Sequence, residues 1–328
     1  MKCKMIDSVN LYLPQSELNS VDLLAEIPNY LTNLREYQPE RGGVAVKGTL
    51  LNMKVTVKEH GLFLEGSLPK YLKGNNIRTS NYQDVLLAFE KLSDELRICP
   101  KSLEEAKVRR VDYAATLAVN NPETDYFSYL GDKPFFNRML FNESSLYYNS
   151  KAKNKRNQRQ KLLFYSKAEE LQAANDPNLK DYRNEKLLRY ESSILKPKIY
   201  YKGSVNVGLL KDRQFHRQSI NRWSKDYTGI KKLDALMKDF SMIKKPNDIY
   251  NYFLAVMAKD YGVEAIMKLP EEIRRHGRFD KAQYYSRLRN DLAKRLEQIQ
   301  LGDRHELIRE LDEKISSVAS EQAESLMN

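Results

Sequence analysis

Cysteine is nearly absent from the chain: Cys3 and Cys99 are the only two among 328 residues. Two cannot build a disulfide framework or a cysteine-based zinc site, and such sparing use fits a reducing compartment. Histidine is almost as scarce. His60, His216, His276 and His305 stand far apart, so no pair has the spacing that sets two metal ligands on one helix or strand. A Ser-His-Asp arrangement has no support beyond the presence of those residue types. The chain also has no GxxxxGK[S/T] loop and no GxGxxG turn, which excludes two common phosphate cradles. Long apolar runs are missing as well. Stretches such as Val85-Leu86-Leu87-Ala88-Phe89 fall far short of the ~20 residues that span a bilayer. Residues 1–7 lack the apolar core of a signal peptide, and the expectation is a cytoplasmic protein without membrane contact.

What is present is apolar material for a core, 41% of residues, and charge, 30%. The length is about twice that of a usual single domain, so two domains are expected. The net charge of +11 is unevenly spread. Residues 1–150 hold 18 Lys and Arg against 19 Asp and Glu, whereas residues 151–328 hold 37 against 25. All the surplus lies in the second half, which points to a polyanion, nucleic acid before membrane. A basic surface with no such partner fits the charge as well.

Alternation and turn signals predict strands over residues 5–13, 44–51, 53–57, 61–68, 107–119, 144–149, 161–167 and 186–195. Helical spacing marks residues 81–97, where Val85, Leu86, Phe89, Leu92 and Leu96 recur, and a helix follows Asn121-Pro122 as far as Leu130. Beyond about residue 205 the pattern turns helical, over 230–240, 247–268, 280–300 and 304–325. No internal repeat and no long linker is visible. The expected fold is α+β: a mainly antiparallel sheet with flanking helices in residues 1–205, then a smaller, basic helical domain in residues 206–328.

Charge inside a strand is costly to place without a reason. Three predicted strands carry polar side chains two residues apart, hence on one face. These are Arg110 and Asp112, Arg189 and Glu191, and Tyr165 and Lys167, the last followed by Glu169 and Glu170. If the three strands share a sheet, one face presents two carboxylates, a tyrosine and a lysine. Converging carboxylates suit a hard cation such as Mg2+. A metal so held polarises a phosphoryl oxygen, and a tyrosine hydroxyl beside it can act as nucleophile. A free tyrosine titrates near pH 10, so the lysine and the metal would both favour the phenolate. The same Arg-x-Asp and Arg-x-Glu pairs also fit structural cross-strand ion pairs, and any one of 21 tyrosines is ordinarily a packing ring. Residues 151–161 hold six basic side chains, Lys151, Lys153, Lys155, Arg156, Arg159 and Lys161, and no acidic one. A solvated hairpin loop is one reading of that run and a phosphate-gripping loop the other.

Taken together, these residues resemble the gene II-type replication initiation proteins of filamentous bacteriophages, those of Vibrio-type phages in particular. The resemblance rests on Met5-Ile6-Asp7, the segment LEGSLPKYLKGNN at 64–76, Arg110-Val-Asp112, Leu163-Phe-Tyr165-Ser-Lys167 and Leu188-Arg-Tyr-Glu191, in that order. A weaker echo follows in Asn251-Tyr-Phe, Tyr261-Gly262 and the region of Pro270. Asn75 stands where the family usually has His, and the His-hydrophobic-His pair of the wider HUH nickases is absent. The resemblance implies an HUH-like rolling-circle initiator that nicks one strand of the phage origin through a tyrosine and bound Mg2+ or Mn2+, leaves a 3′-OH primer and later rejoins the displaced strand. It makes Tyr165 the nucleophile, with Tyr147 and Tyr148 as rivals, and Lys167 a stabiliser of charge. It makes Asp112, Glu191 and Glu65 a mainly carboxylate metal site. Residues 151–161 would grip DNA near the cut, and Arg213, Arg217, Arg222, Arg274, Arg275, Arg287 and Arg289 would bind duplex or hairpin. The host replicative helicase and single-strand-binding protein are implied partners, in the bacterial host cytoplasm. The alternatives are a non-catalytic origin-binding regulator and, more weakly, a structural RNA-binding protein.

Overall fold

A computed structural model describes residues 5–18, 22–38, 43–77, 81–182, 184–232, 243–298 and 305–325. The chain divides into two compact units, Met1–Lys231 with Glu310–Asn328, and Lys232–Arg309. The first unit is built on a ten-stranded sheet: β1 Ile6–Pro14, β2 Thr32–Tyr37, β3 Ala45–Leu50, β4 Met53–Lys58, β5 Gly61–Ser67, β6 Lys107–Ala118, β7 Phe136–Phe141, β8 Ser145–Ser150, β9 Gln160–Ser166 and β10 Leu187–Ile194. Their order is β2-β3-β4-β5-β1-β6-β10-β9-β8-β7, and each neighbouring pair is antiparallel. β1 and β6 meet at the centre, with Val9 opposite Val111. On each side a four-strand meander returns from edge to centre, so β1–β5 and β6–β10 repeat one topology. The repeat is one of chain path, with no matching repeat in the sequence.

Period-two alternation divides the side chains between the faces. One face is apolar and buried, with Val9, Leu11, Val55, Leu62, Leu64, Val111, Tyr113, Leu162, Phe164, Leu188 and Tyr190. Helix Arg213–Thr228 covers it beside β9 and β10. Tyr190 stacks on Phe164 at 4.5 Å and meets Trp223 of that helix at 4.8 Å. The opposite face is polar, and the site lies there.

The structure departs from the expected elements in places that share a physical cause. β2 and β7 were not expected. They are the two edge strands, with no buried residue in either, so they have no alternation to show. Helix Arg213–Thr228 was also not expected. It buries only His216, Ser219, Ile220, Trp223 and Tyr227 along an otherwise polar stretch. The strand predicted over 161–167 stops at Ser166, whose Oγ accepts from the Glu169 N–H at 3.3 Å and caps helix Lys167–Ala173. Lys167 is therefore the first helical residue and does not share a strand face with Tyr165.

The second unit holds helices Asp248–Tyr261, Val263–Arg275 and Ala282–Gln298. The single helix expected over 247–268 is broken at Gly262, where φ is +84°, a conformation that glycine adopts without steric cost. The helix expected over 230–240 falls mainly outside the described residues. Helix Arg213–Thr228, beyond residue 205, belongs to the first unit, as does Glu306–Ser325 from Glu310 onward. In the first unit Glu310 accepts from the Asn120 N–H at 3.0 Å. No helix among the described residues is long and apolar enough to cross a membrane.

Candidate active site

Strand register places the predicted residues in rows across the polar face. One row runs Asn149, Lys161, Ser193, Asp112 and Ser8, the next Tyr147, Leu163, Glu191 and Ala114, and the third Ser145, Tyr165, Arg189 and Thr116. The centre of this array is Arg189, fully buried at 0% exposure. Its Nη2 lies 2.9 Å from Asp7 Oδ1. Its Nε donates to Glu191 Oε1 at 2.7 Å, and Nη1 donates to Asn76 O at 2.9 Å and Thr116 Oγ1 at 3.1 Å. Burial opposes the charge on both Arg189 and Asp7. Their pairing outweighs it, raising the guanidinium well above its ordinary value and holding the Asp7 carboxyl below its own. The expected Arg-x-Glu and Arg-x-Asp ion pairs do form, but within each strand rather than across strands.

Tyr165 Oη donates to Glu191 Oε1 at 2.9 Å. Burial raises the phenol well above its ordinary value. Arg189 is the charge that favours the phenolate, while Glu191 and Glu170 oppose it. The resting tyrosine is therefore a neutral donor already aimed at a carboxylate. Tyr165, Tyr147, Ser145, Leu163, Glu169 and Glu170 line a groove of about 400 Å³. Lys167, the predicted charge stabiliser, is fully buried; its Nζ donates to Asn76 Oδ1 at 2.8 Å and pairs with Glu170. It acts inside the Asp7–Asn76–Arg189 network, and the cation acting on Tyr165 is Arg189.

Neighbours on a strand face opposite ways, and this separates the rival tyrosines. Tyr147 lies on the polar face, with Lys161 Nζ 5.0 Å from its ring centre. Tyr148 is turned to the apolar face, fully buried, with its Oη bonded to Gly131 O at 2.7 Å and Leu130 O at 3.1 Å. Burial raises its phenol too, and no carboxylate accepts from it. Of the two expected rivals, Tyr147 shares the polar face with Tyr165 and Tyr148 does not.

Asp112 is 2% exposed and bound by both arms of Arg110, Nε to Oδ1 at 2.9 Å and Nη2 to Oδ2 at 2.7 Å. Burial pushes its carboxyl up to about 6 against the pull of Arg110, and the neighbouring Glu191 adds to the push. Glu65 accepts from Asn10 Nδ2 at 3.2 Å on β5. The intervening β1 separates β5 from β6, two strand spacings or ~10 Å. Among the described residues no three His, Cys, Asp or Glu side chains form a group that could hold a metal. Of the three expected carboxylates, Asp112 and Glu191 are electrostatic neighbours, and Glu65 lies two strands away from Asp112. A Mg2+ ion commonly takes one or two carboxylates and completes its shell with water and phosphate. Asp112 and Glu191 fit that donor set.

The Asp112 environment gives a stability prediction for the metal-free protein. A carboxyl titrating at about 6 when folded and near 3.9 when unfolded binds its proton more tightly in the folded state. Its contribution is fully present below pH ~4 and is lost as pH rises through ~6, a span of roughly 3 kcal/mol. Calorimetry at pH 4.5 and 7.5 is expected to show a smaller drop in Tm for Asp112→Asn than for wild type. Equal drops would contradict the assignment.

A family model for the N-terminal part of the phage replication-associated protein, the gene II product, matches residues 5–225, the span that contains all ten strands and every residue of this array. The chain belongs to that family. It is a phage replication-associated protein, consistent with the filamentous-phage gene II type. No curated protein matches the chain.

In this replication-associated protein residues 151–159 of the basic run connect β8 to β9, with a 3-10 turn at Lys155–Asn157 capped by Asn154, and the run ends inside β9 at Lys161. Lys151, Lys153, Lys155, Arg156 and Arg159 are exposed. Lys161 differs from them because it lies on the polar face. Burial lowers its ammonium, while Glu191 and Asp112 raise it, which marks it as the loop cation nearest the two carboxylates. Arg274 and Arg275 are exposed at the end of Val263–Arg275 in the second unit, Arg275 beside Glu272 at 3.7 Å. Arg222 stacks over Tyr201 at 4.9 Å and donates to Tyr200 O at 3.2 Å, a packing role within the first unit. Asp7 and Asn76 were not singled out from sequence as site residues. Their signals were a carboxylate inside the first strand and the end of the 64–76 segment.

Proposed function

We propose that this protein nicks one strand of the phage origin by transesterification, with Tyr165 as nucleophile and Glu191 as its proton acceptor. The observation that carries the reading is the 2.9 Å hydrogen bond from Tyr165 Oη to Glu191 Oε1, an oxygen that also accepts from buried Arg189 Nε at 2.7 Å. A phenol raised by burial needs such a base at hydrogen-bond distance. Tyr165 Oη attacks the scissile phosphorus as its proton passes to Glu191. The P–O3′ bond breaks, the leaving oxygen takes a proton from water, and Glu191 returns its own to solvent. The products are a free 3′-OH and a 5′-phosphotyrosine. The phosphotyrosyl bond retains the energy of the broken phosphodiester, so reversal rejoins the displaced strand.

Asp112 and Glu191 would hold Mg2+ or Mn2+, which when bound supplies positive charge to a phosphoryl oxygen. Lys161 and the exposed basic loop grip the backbone beside the cut. The 3′-OH would prime synthesis, with the host replicative helicase and single-strand-binding protein as partners on the displaced strand. The test is a covalent-adduct gel with Mg2+ and supercoiled DNA carrying the phage intergenic region. Wild type and Tyr148→Phe are expected to give nicked DNA and a DNA-linked protein band, and Tyr165→Phe neither. One observation favours a second reading: both carboxylates sit in ion pairs, as in a non-catalytic origin-binding regulator. Binding of that DNA by wild type without nicking would favour the regulator.

A further inference from the structure

The first half of the sheet repeats the chain path of the half that carries Tyr165, and its polar face holds a groove that the nicking chemistry does not use. The groove has a volume of about 630 Å³ and lies across β2 to β5, lined by Arg35, Lys47, Lys54, Phe63, Asn10 and Glu65 with several small polar residues. Three cations thus share the lining with one carboxylate, and Asn10 already donates to that carboxylate. Arg35, Lys47 and Lys54 form no ion pair among the described residues, and Lys47 Nζ lies 4.1 Å from the ring centre of Tyr37. An aromatic step stands beside the cations. Phe63 stacks on Tyr12 at 4.8 Å and 28°, and His60 meets Phe63 edge-on at 5.9 Å.

Cations with no carboxylate partner among the described residues, beside a half-buried aromatic step, are the two elements that single-stranded nucleic acid requires, one for phosphates and one for bases. A duplex offers the phosphates but keeps its base faces stacked away from a ring. Phe63 on β5 and Tyr165 on β9 lie on the same face, four strands apart across the sheet and nine residues apart along β6, from Lys107 to Thr116. That is about 35 Å in all, within the reach of an extended single strand. We infer that this groove binds single-stranded DNA adjoining the nick, so that one half of the sheet holds the strand the other half cuts. The inference rests on the DNA-processing reading above.

The test is fluorescence anisotropy of a labelled 15-mer of thymidine, titrated with full-length Tyr165→Phe protein without divalent metal over a range of salt. Lys47 and Lys54 are exposed, so Lys47→Ala and Lys54→Ala leave the core intact, and Phe63→Leu keeps an apolar side chain while removing the ring. Each lysine substitution is expected to reduce the slope of log K against log salt by about 0.7. Phe63→Leu is expected to weaken binding about 5- to 100-fold with the slope unchanged, and to make no difference on an abasic oligomer. The inference is overturned if wild-type side chains at these three positions give no binding, if all three variants bind like their parent, or if a duplex of equal length suffers the same losses. No covalent step is read, so a protein unable to nick still gives the expected result. A protein that nicks but binds alike in all variants rejects the groove alone.

Discussion

Replacing Arg189 by Met is expected to remove about 3–5 kcal/mol of folding stability, a drop in Tm of about 10 °C for a unit of this size. The reason is what remains behind. Asp7 is 4% exposed and would face Arg189's former place as an unpaired charge, as would Glu191, while the carbonyl of Asn76 and the hydroxyl of Thr116 would each lose a donor. The loss should shrink at acid pH. Without the guanidinium that holds its carboxyl low, Asp7 binds a proton more readily in the folded state, and stability is regained as the pH falls. The apolar triple Asp7→Leu, Arg189→Met, Glu191→Leu is expected to recover most of the stability and none of the nicking. An Arg189→Met protein that melts within 2 °C or so of wild type at pH 8 would show that the buried network is not coupled as its geometry indicates.

Glu191→Gln carries the second large effect. The amide keeps a carbonyl that can accept from Tyr165 and Arg189, so the fold and DNA affinity should change little. It cannot take up the phenolic proton. Nicking is expected to fall 10²- to 10⁴-fold, read as initial rates on supercoiled origin DNA at saturating protein. A loss below about fivefold would mean that the Tyr165 proton leaves by another route.

The parts of this molecule legible in the sequence are those whose burial leaves a period. β1, β4, β8 and β9 alternate buried and open positions, and their strands emerge from the pattern; the exposed edges β2 and β7 carry no such record. Intrastrand spacing correctly set Arg110 beside Asp112 and Arg189 beside Glu191. It failed for Tyr165 and Lys167, because the spacing rule assumes a continuing strand and Ser166 caps a helix instead. Glu65 is named through the family resemblance and not through spacing, and the sheet order, with β1 inserted between β5 and β6, is what sets it apart from Asp112. Parity alone implied that only one of Tyr147 and Tyr148 can share a face with Tyr165, but the β8–β9 register, Tyr147 opposite Leu163, was needed to say which. Asp7 and Asn76, 69 residues apart, meet at 3.3 Å only once the sheet is formed. The repeated path of the two halves is likewise a tertiary fact.

The central claim is a covalent bond at one hydroxyl, and mapping the adduct tests it most directly. Wild-type protein, an origin oligonucleotide and Mg2+ would be incubated, digested with nuclease and trypsin, and analysed by fragment-ion mass spectrometry. The account predicts a nucleotide phosphate on the peptide of residues 162–167, at Tyr165. An adduct on the peptide that carries Tyr147, or on any other tyrosine, would contradict it.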